Sequence, residues 1–529
     1  MSFAKRNTII LQSWLLLLAL MVIPSLVSAQ KKSNSSTPAK SSAPPPAPHP
    51  SNAAPSRPPG GVQPRSTVAQ PHPNSASTRP GTNGIPPRNT ASQPVTTNGR
   101  PRNVANQPTT VSRPDGSRTV HTATGRSLEY GKNGRLTGVT TRSGATAKFS
   151  PNGRVTSIHA NGMTINRGFR GERAVISERV NDRGEHIRTV SMGPHRGFVE
   201  HPFMRGGRPY LRRTYMVNGH EYARVYRGYY YRGGLYYRYV PAYYYGPRFY
   251  GWAYTPWGAP IVYGWGWGPW YPAYGYYFAP YPAYADGSLW LTDYVIAANL
   301  QAAYEAQQDS NTASAQSDYA SASADSSTDA NGQNAPLSPE VKQAIADEVK
   351  AQLAAEKDAS SNSQQTTTAP SGGPGGEQPP DALDPLHRTF VVSTTMNEPL
   401  ADGSECDLTP GDVLTRIDDI PDANQNVKVL VSSSQRNDCK TGLQVAVSVQ
   451  DLQDMHNHFR EQIDEGLGKL AQDQGKNGLP TAPDTTTTTV ADGQAQPDLT
   501  AENDIRSQQQ QADQTEGEVQ QAAQGGQEN

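Results

Sequence analysis

The sequence predicts a multi-modular, largely disordered chain. Its ordered parts are a β-hairpin meander, an aromatic Gly/Tyr/Trp-rich region, an isolated helix and a small disulfide-closed β-barrel-like domain with a C-terminal helix. Three observations predict this. First, the 529 residues include 48 Gly and 45 Pro, and 35% are apolar, so much of the chain lacks the material for a core. Second, apolar alternation and turn signals are confined to separate stretches. Third, the chain's two cysteines, Cys406 and Cys439, both fall in the last of those stretches.

Residues 1–29 have the pattern of a signal peptide. Lys5 and Arg6 precede an apolar run from Trp14 to Val22, and Val27-Ser28-Ala29 supplies small residues for cleavage before Gln30. Gln12, Ser13 and Pro24 interrupt the run, leaving it short of the ~20 residues of a spanning helix. The expectation is export, to the periplasm, the outer surface or the medium, with no integral span after cleavage. Residues 30–112 are a basic Pro/Ser-rich linker, with runs such as Ala43-Pro44-Pro45-Pro46 that favour extended polyproline conformations.

The formal net charge of zero conceals a polarity. No acidic residue precedes Asp115, and residues up to Tyr250 carry about 27 more Lys and Arg than Asp and Glu. The remainder carries the opposite excess. Such a chain can fold back on itself, associate with a second copy, or hold an anionic polymer at its basic half.

In residues 113–197, Asp115-Gly116, Asn133-Gly134, Asn152-Gly153 and Asn161-Gly162 separate short runs rich in Thr, Val, Ile and Leu. These dipeptides suit type I′ hairpin turns, whose central positions need positive φ. Gly134-Arg135-Leu136-Thr137-Gly138-Val139-Thr140 and Gly153-Arg154-Val155-Thr156-Ser157-Ile158-His159 align about twenty residues apart. With Tyr130 ahead of Gly131-Lys132-Asn133-Gly134-Arg135, the wording resembles the tyrosine–aspartate (YD/Rhs) repeats of bacterial surface and toxin-delivery proteins. Gly131 stands where those repeats carry Asp, and Phe149-Ser150 replaces Tyr-Asp. The resemblance implies a small β meander and carries over no activity.

Residues 198–304 are rich in Tyr, Trp, Gly, Pro and Arg and end in a helix from Ser288 to Tyr304. Amphipathic rings of this kind suit interfaces and sugar faces, and interleaved Arg adds cation–π contacts. Arg224, Arg227, Tyr229, Arg232, Tyr236, Trp265, Trp267 and Trp270 are the candidate binding residues. A linker over 305–337 leads to an amphipathic helix over 338–357, with Ser338 as N-cap and Pro339 at its first position. A further linker covers 358–385.

Residues 386–470 predict strands at Thr389–Ser393, Asp412–Ile417, Val427–Val431 and Leu443–Val449, then a closing helix that Asp451 can cap. Leu408-Thr409-Pro410-Gly411-Asp412-Val413-Leu414 resembles the turn into a strand of small SH3-like barrels and PDZ-like domains. The barrel is preferred because no Gly-Leu-Gly-Phe-type loop precedes it. In an exported protein Cys406 and Cys439 are expected to form a disulfide. Residues 471–529 are expected to be a disordered Gln-rich tail.

No Gly-x-Ser-x-Gly, phosphate loop or His-Glu-x-x-His is present. His456 and His458 lie two apart on a helix and point to different sides, and His195, His201 and His220 lack zinc-site spacing. The expectation is therefore a non-enzyme with no metal and no cofactor. Its partner would be an envelope polymer or surface protein. Wall or capsule polysaccharide is the alternative, and extracellular nucleic acid a third possibility.

Overall fold

Short runs of Thr, Val, Ile and Tyr between Gly-bearing turns build one antiparallel meander, in which each strand hydrogen-bonds to the next in sequence. The computed structural model describes residues 108–168, 172–193, 195–266, 268–316, 336–365, 379–400, 405–437 and 439–524. The chain divides into units 1–96 and 97–529, and all described residues belong to the second. The expected signal peptide and nearly all of the Pro-rich linker lie outside the described residues, as does Trp267.

The sheet has 13 strands, from β1 (Thr109–Ser112) through β7 (Met163–Arg167), β8 (Arg173–Val180), β9 (His186–Gly193), β10 (Arg196–Arg205) and β11 (Arg208–Val217) to β12 (His220–Tyr231) and β13 (Gly234–Val240). It is larger than the small meander expected and continues well into the aromatic region. Its turns are of two kinds. At Asn161-Gly162 and Asn218-Gly219 both residues have positive φ, as a type I′ turn requires. At Asp115-Gly116, Asn133-Gly134 and Asn152-Gly153 only the glycine does, which corrects the type I′ expectation there. The carboxylate or amide oxygen instead accepts from the backbone N–H two residues on, at 2.9 Å in Asp115 and 3.1 Å in Asn133. That bond holds the first of the two residues in a right-handed conformation.

Register places apolar residues in a row across the strands. Val139, Ala147, Ile158, Ile165 and Val175 are successive cross-strand partners. The polypeptide that covers this row comes from the segment expected to be a disordered tail. Residues 487–489 form a strand, β21 (Thr487–Thr489), paired with β14 (Tyr243–Tyr245), and Ala501–Gln524 form a helix, α5. Ala512 and Val519 of that helix pack on Ile158, Ile165 and Val175, and Ile505 packs on Ile187, Val199 and Met216. Sparse apolar residues at helical spacing suffice here because the sheet supplies the rest of the core. Arg167–Glu516 at 2.6 Å, Arg173–Asp513 at 2.8 Å and Arg179–Asp504 at 2.8 Å join the two. The basic and acidic halves therefore meet within the chain.

Residues of alternate parity face a second acidic helix, α4 (Val449–Asp473). Arg188 and Arg213 reach Asp454, Arg224 reaches Glu465, and the Tyr215 hydroxyl donates to Glu461 at 2.8 Å. The helix begins at Ser448, whose hydroxyl oxygen accepts from the Asp451 N–H at 3.0 Å. Ser448 is thus the N-cap, with Asp451 at the third position, not the cap itself. At the last strand, Asn457 substitutes for a neighbour. Its amide oxygen accepts from Tyr239 N–H and its amide nitrogen donates to Tyr237 C=O, both at 2.9 Å.

The aromatic tract forms a core. The helices α1 (Pro247–Tyr254), α2 (Gly287–Gln316) and α3 (Pro339–Gln365) pack with α4 around Phe249, Tyr250, Tyr274, Tyr277, Phe278 and Trp290. Trp265 stacks on Trp290 with ring centroids 5.1 Å apart. Polar tips find partners inside the protein: Trp265 N–H donates to the Tyr284 hydroxyl at 2.6 Å, and that hydroxyl donates to Asp293 at 2.7 Å. The amphipathic helix expected over 338–357 starts at Pro339 as foreseen, with Ser338 Oγ accepting from Val341 N–H. It is not isolated: Ile345, Val349 and Leu353 are buried in this same core.

The four strands expected in residues 386–470 are present as β15 (Thr389–Val391), β18 (Val413–Arg416), β19 (Asn426–Ser433) and β20 (Gln444–Ser448), ordered β15-β18-β19-β20. Among the described residues no pairing closes them into a barrel. A separate hairpin, β16 (Met396–Pro399) with β17 (Glu405–Leu408), stands beside them. Tyr236 of the meander is buried in their core, so the module is not self-contained. Cys406 and Cys439 form the expected disulfide, with both residues buried. The bridge spans 33 residues. Reduction should therefore lower stability by about 2–4 kcal/mol. The check is a lower urea midpoint for the Cys406→Ser/Cys439→Ser variant, with native disulfide confirmed in the parent by mass spectrometry.

Candidate functional site

The eight residues nominated by the sequence do not share one surface. Trp270 and Tyr236 are each 7% exposed and belong to different cores. Trp265 is half-buried against Trp290 and Phe278. Arg224 is tied to Glu465 at 2.8 Å, and Tyr229 packs partly buried on the Tyr236 core. Of the described candidates only Arg232 is exposed, and Arg227 is half-buried. The rings expected to face a partner instead face one another, because a tract this rich in Tyr and Trp buries more area against α2, α3 and α4 than on a surface.

The tip of the hairpin joining β12 and β13 carries the most exposed aromatic ring among the described residues. Tyr230 is 62% exposed, Leu235 is its cross-strand partner and also exposed, and Arg232 turns the chain with φ +46°. Arg232 lies over the Tyr231 ring at 5.4 Å and its guanidinium reaches Pro421 C=O at 3.5 Å. The loop holding Pro421 also exposes Ile420, at 71%.

A second arrangement was not foreseen from the sequence. Beside α3 and α4 lies a cavity of about 160 Å³ lined by Arg238, Tyr244, Gln352, Glu356, Asp381, His387, His456 and Arg460. Helix α3 brings Gln352 and Glu356 to it, with Glu348 one turn before Gln352, α4 brings His456 and Arg460, and the segment before β15 brings Asp381 and His387. His387 and Glu348 share a hydrogen bond. The His387 and His456 rings are 4.8 Å apart. Arg238 pairs with Asp381 at 2.5 Å, and Asp381 lies 3.9 Å from His456 Nε2.

Electrostatics separate the two imidazoles. Burial pushes the His456 pKa down to about 3, so its ring is neutral. Burial acts the same way on His387, but the hydrogen bond and charge of Glu348 outweigh it and the net shift is upward. Burial pushes Asp381 up, yet Arg238, with Arg460, holds it below the usual carboxylate range. Burial raises Glu356 despite the nearby Arg460.

Glu348, His387 and His456 each offer one ligand atom, all within 4.8 Å of one another, and are the residues that could hold a metal ion. As expected, His456 and His458 point apart: His458 sits 3.9 Å from Glu461. His456 nevertheless meets His387 through the tertiary fold. No local motif in the sequence signals that meeting, because the three residues come from segments that only the fold brings together.

Comparison of the chain with protein-family models, curated proteins and solved structures returned no match.

Proposed function

We propose that this is an exported, non-enzymatic structural or interaction protein of the cell envelope or secreted matrix. Its contact surface on this reading is the Arg/Tyr hairpin tip, not the tryptophans. The observation that carries the reading is the exposed Tyr230 at a tip where Arg232 and Ile420 are also exposed, while Phe249, Tyr250, Trp270, Tyr274, Tyr277 and Trp290 are internal. The disulfide between Cys406 and Cys439 supports an oxidising compartment. No helix among the described residues is long and apolar enough to cross a membrane, so the reading places attachment at a surface polymer or protein.

A planar ring beside a guanidinium suits the face of a sugar and its acidic substituents, which makes wall or capsule polysaccharide the polymer class to test first. The test is co-sedimentation of purified residues 30–529 with isolated bacterial envelopes and with an acidic polysaccharide. Tyr230→Ala/Arg232→Ala should weaken binding about tenfold, the loss of roughly 1.4 kcal/mol, with an unchanged circular dichroism spectrum. Unchanged binding by this variant would overturn the assignment of the tip. Binding that collapses steeply with salt on DNA, and is absent on polysaccharide, would favour nucleic acid instead.

A further inference from the structure

We propose that Glu348, His387 and His456 form a binding site for a divalent first-row transition-metal ion, with open coordination positions facing the adjoining cavity. Two imidazoles and one carboxylate are the donor set that borderline ions such as Zn²⁺ take, and three protein ligands leave room for water or a small anion. The ligand atoms converge within 4.8 Å from three segments distant in sequence.

Two further observations point to a ligand. His456 is 4% exposed, and Asp381, the carboxylate beside its Nε2, stands at 3.9 Å, too far to be a hydrogen-bond partner. A buried imidazole in a purely structural role ordinarily has such a partner. The ring instead lines the cavity, which at about 160 Å³ holds several water-sized groups. On the same wall, Glu356 Oε2 is buried without a hydrogen-bond partner.

The local charge balance accommodates a cation. Arg238 is committed to Asp381 at 2.5 Å, and Arg460 donates to the Tyr239 carbonyl at 3.1 Å while facing Glu356. Among the described residues Glu348 pairs with His387 and with no arginine. Without metal, a proton between His387 and Glu348 holds the two side chains together. An entering cation replaces that proton and binds both groups. Asp381, 3.9 Å from His456 Nε2, is placed to orient that ring. The ion would tie α3, α4 and the segment before β15 together at one point.

The experiment uses the purified protein from Gln30 onward, stripped with chelator and titrated with Zn²⁺ by calorimetry, then with Co²⁺ by visible absorption. One equivalent should bind, and Co²⁺ should give the d–d bands of a low-coordinate nitrogen/oxygen site. His387→Gln/His456→Gln should weaken Zn²⁺ binding at least 100-fold, whereas His159→Gln, at an exposed position, should leave it unchanged. If the double variant does not fold, the wild-type protein still decides the question: Zn²⁺ should protect His387 and His456 from diethyl pyrocarbonate, read by mass spectrometry. No saturable uptake of Zn²⁺, Co²⁺, Mn²⁺ or Fe²⁺ by the wild-type chain would overturn the proposal, as would protection confined to other histidines.

Discussion

Arg213→Met should lower the stability of the folded chain by about 3–5 kcal/mol, because it takes from the buried Glu200 its close ion pair and leaves only the 3.6 Å contact to Arg188. Arg213 is 4% exposed and sits in the sheet face that meets α4. Its guanidinium reaches Glu200 at 2.5 Å and Asp454 at 3.3 Å, donates to the Tyr215 hydroxyl at 3.2 Å, and lies 4.3 Å from the Phe198 ring centre. Methionine keeps the packing volume but none of these bonds. Denaturation at neutral pH followed by tryptophan fluorescence reads the loss, and Glu200→Gln in the same background should restore part of it. The neighbouring Glu461 adds a pH signature. Burial alone would raise its pKa, but the hydrogen bond and charge of His458, with Arg213 and Arg224, bring it down to about 2. A depressed carboxylate pKa stabilises the fold above the ordinary glutamate value near 4.5, and that stability is lost as pH falls toward 2. In Arg213→Met the loss should begin at higher pH. A cost below about 1 kcal/mol would show that the network is solvated in solution.

Truncation after Gln494 should be costlier for the first half of the sheet. It removes Ile505, Ala512 and Val519 from the row of Ile158, Ile165, Val175, Val199 and Met216. Two large side chains at about 1.5–3 kcal/mol each amount to roughly 3–6 kcal/mol before any ion pair is counted. It also uncovers a long apolar sheet face, which is an aggregation hazard. Hydrogen exchange should show the amides of β7, β8 and β9 losing protection, while those of α3 and α4 keep theirs. Equal protection in the truncated and full chains would mean that α5 is not a structural cover. Arg167–Glu516 and Arg179–Asp504 make the contact partly electrostatic, so the full-length sheet should also loosen somewhat at high salt.

These two results bear on what the sequence could tell. The turn at Asn161-Gly162 and the strands β15, β18, β19 and β20 are local, and local periodicity disclosed them. So did Ser338 and Pro339 at the start of α3, and the pairing of the chain's two cysteines. Helix α5 was hidden because its few apolar residues, Ile505, Ala512 and Val519, make no core without a sheet about 340 residues earlier. The aromatic tract was legible as chemistry but not as placement. Gly and Pro in such density suggested an open surface, whereas Trp290, Phe249 and Tyr277 fold inward on helices that follow later in the chain. The cluster of Glu348, His387 and His456 was the least legible, since only the packing of α3 on α4 brings its members together. Charge polarity was the long-range signal that did survive: the excess of arginine before Tyr250 and of carboxylates after it is satisfied on both faces of one sheet.

Asn457 has a consequence for how copies of this chain can associate. Its amide occupies Tyr239 N–H and Tyr237 C=O on the outer side of β13, so an incoming strand would have to displace it there. At the other margin β1 has, among the described residues, no neighbour beyond the next strand (Arg118–His121), and all four of its residues are exposed. A sheet with two open margins can propagate without limit. Strand addition at β1 alone would join two copies margin to margin and stop there.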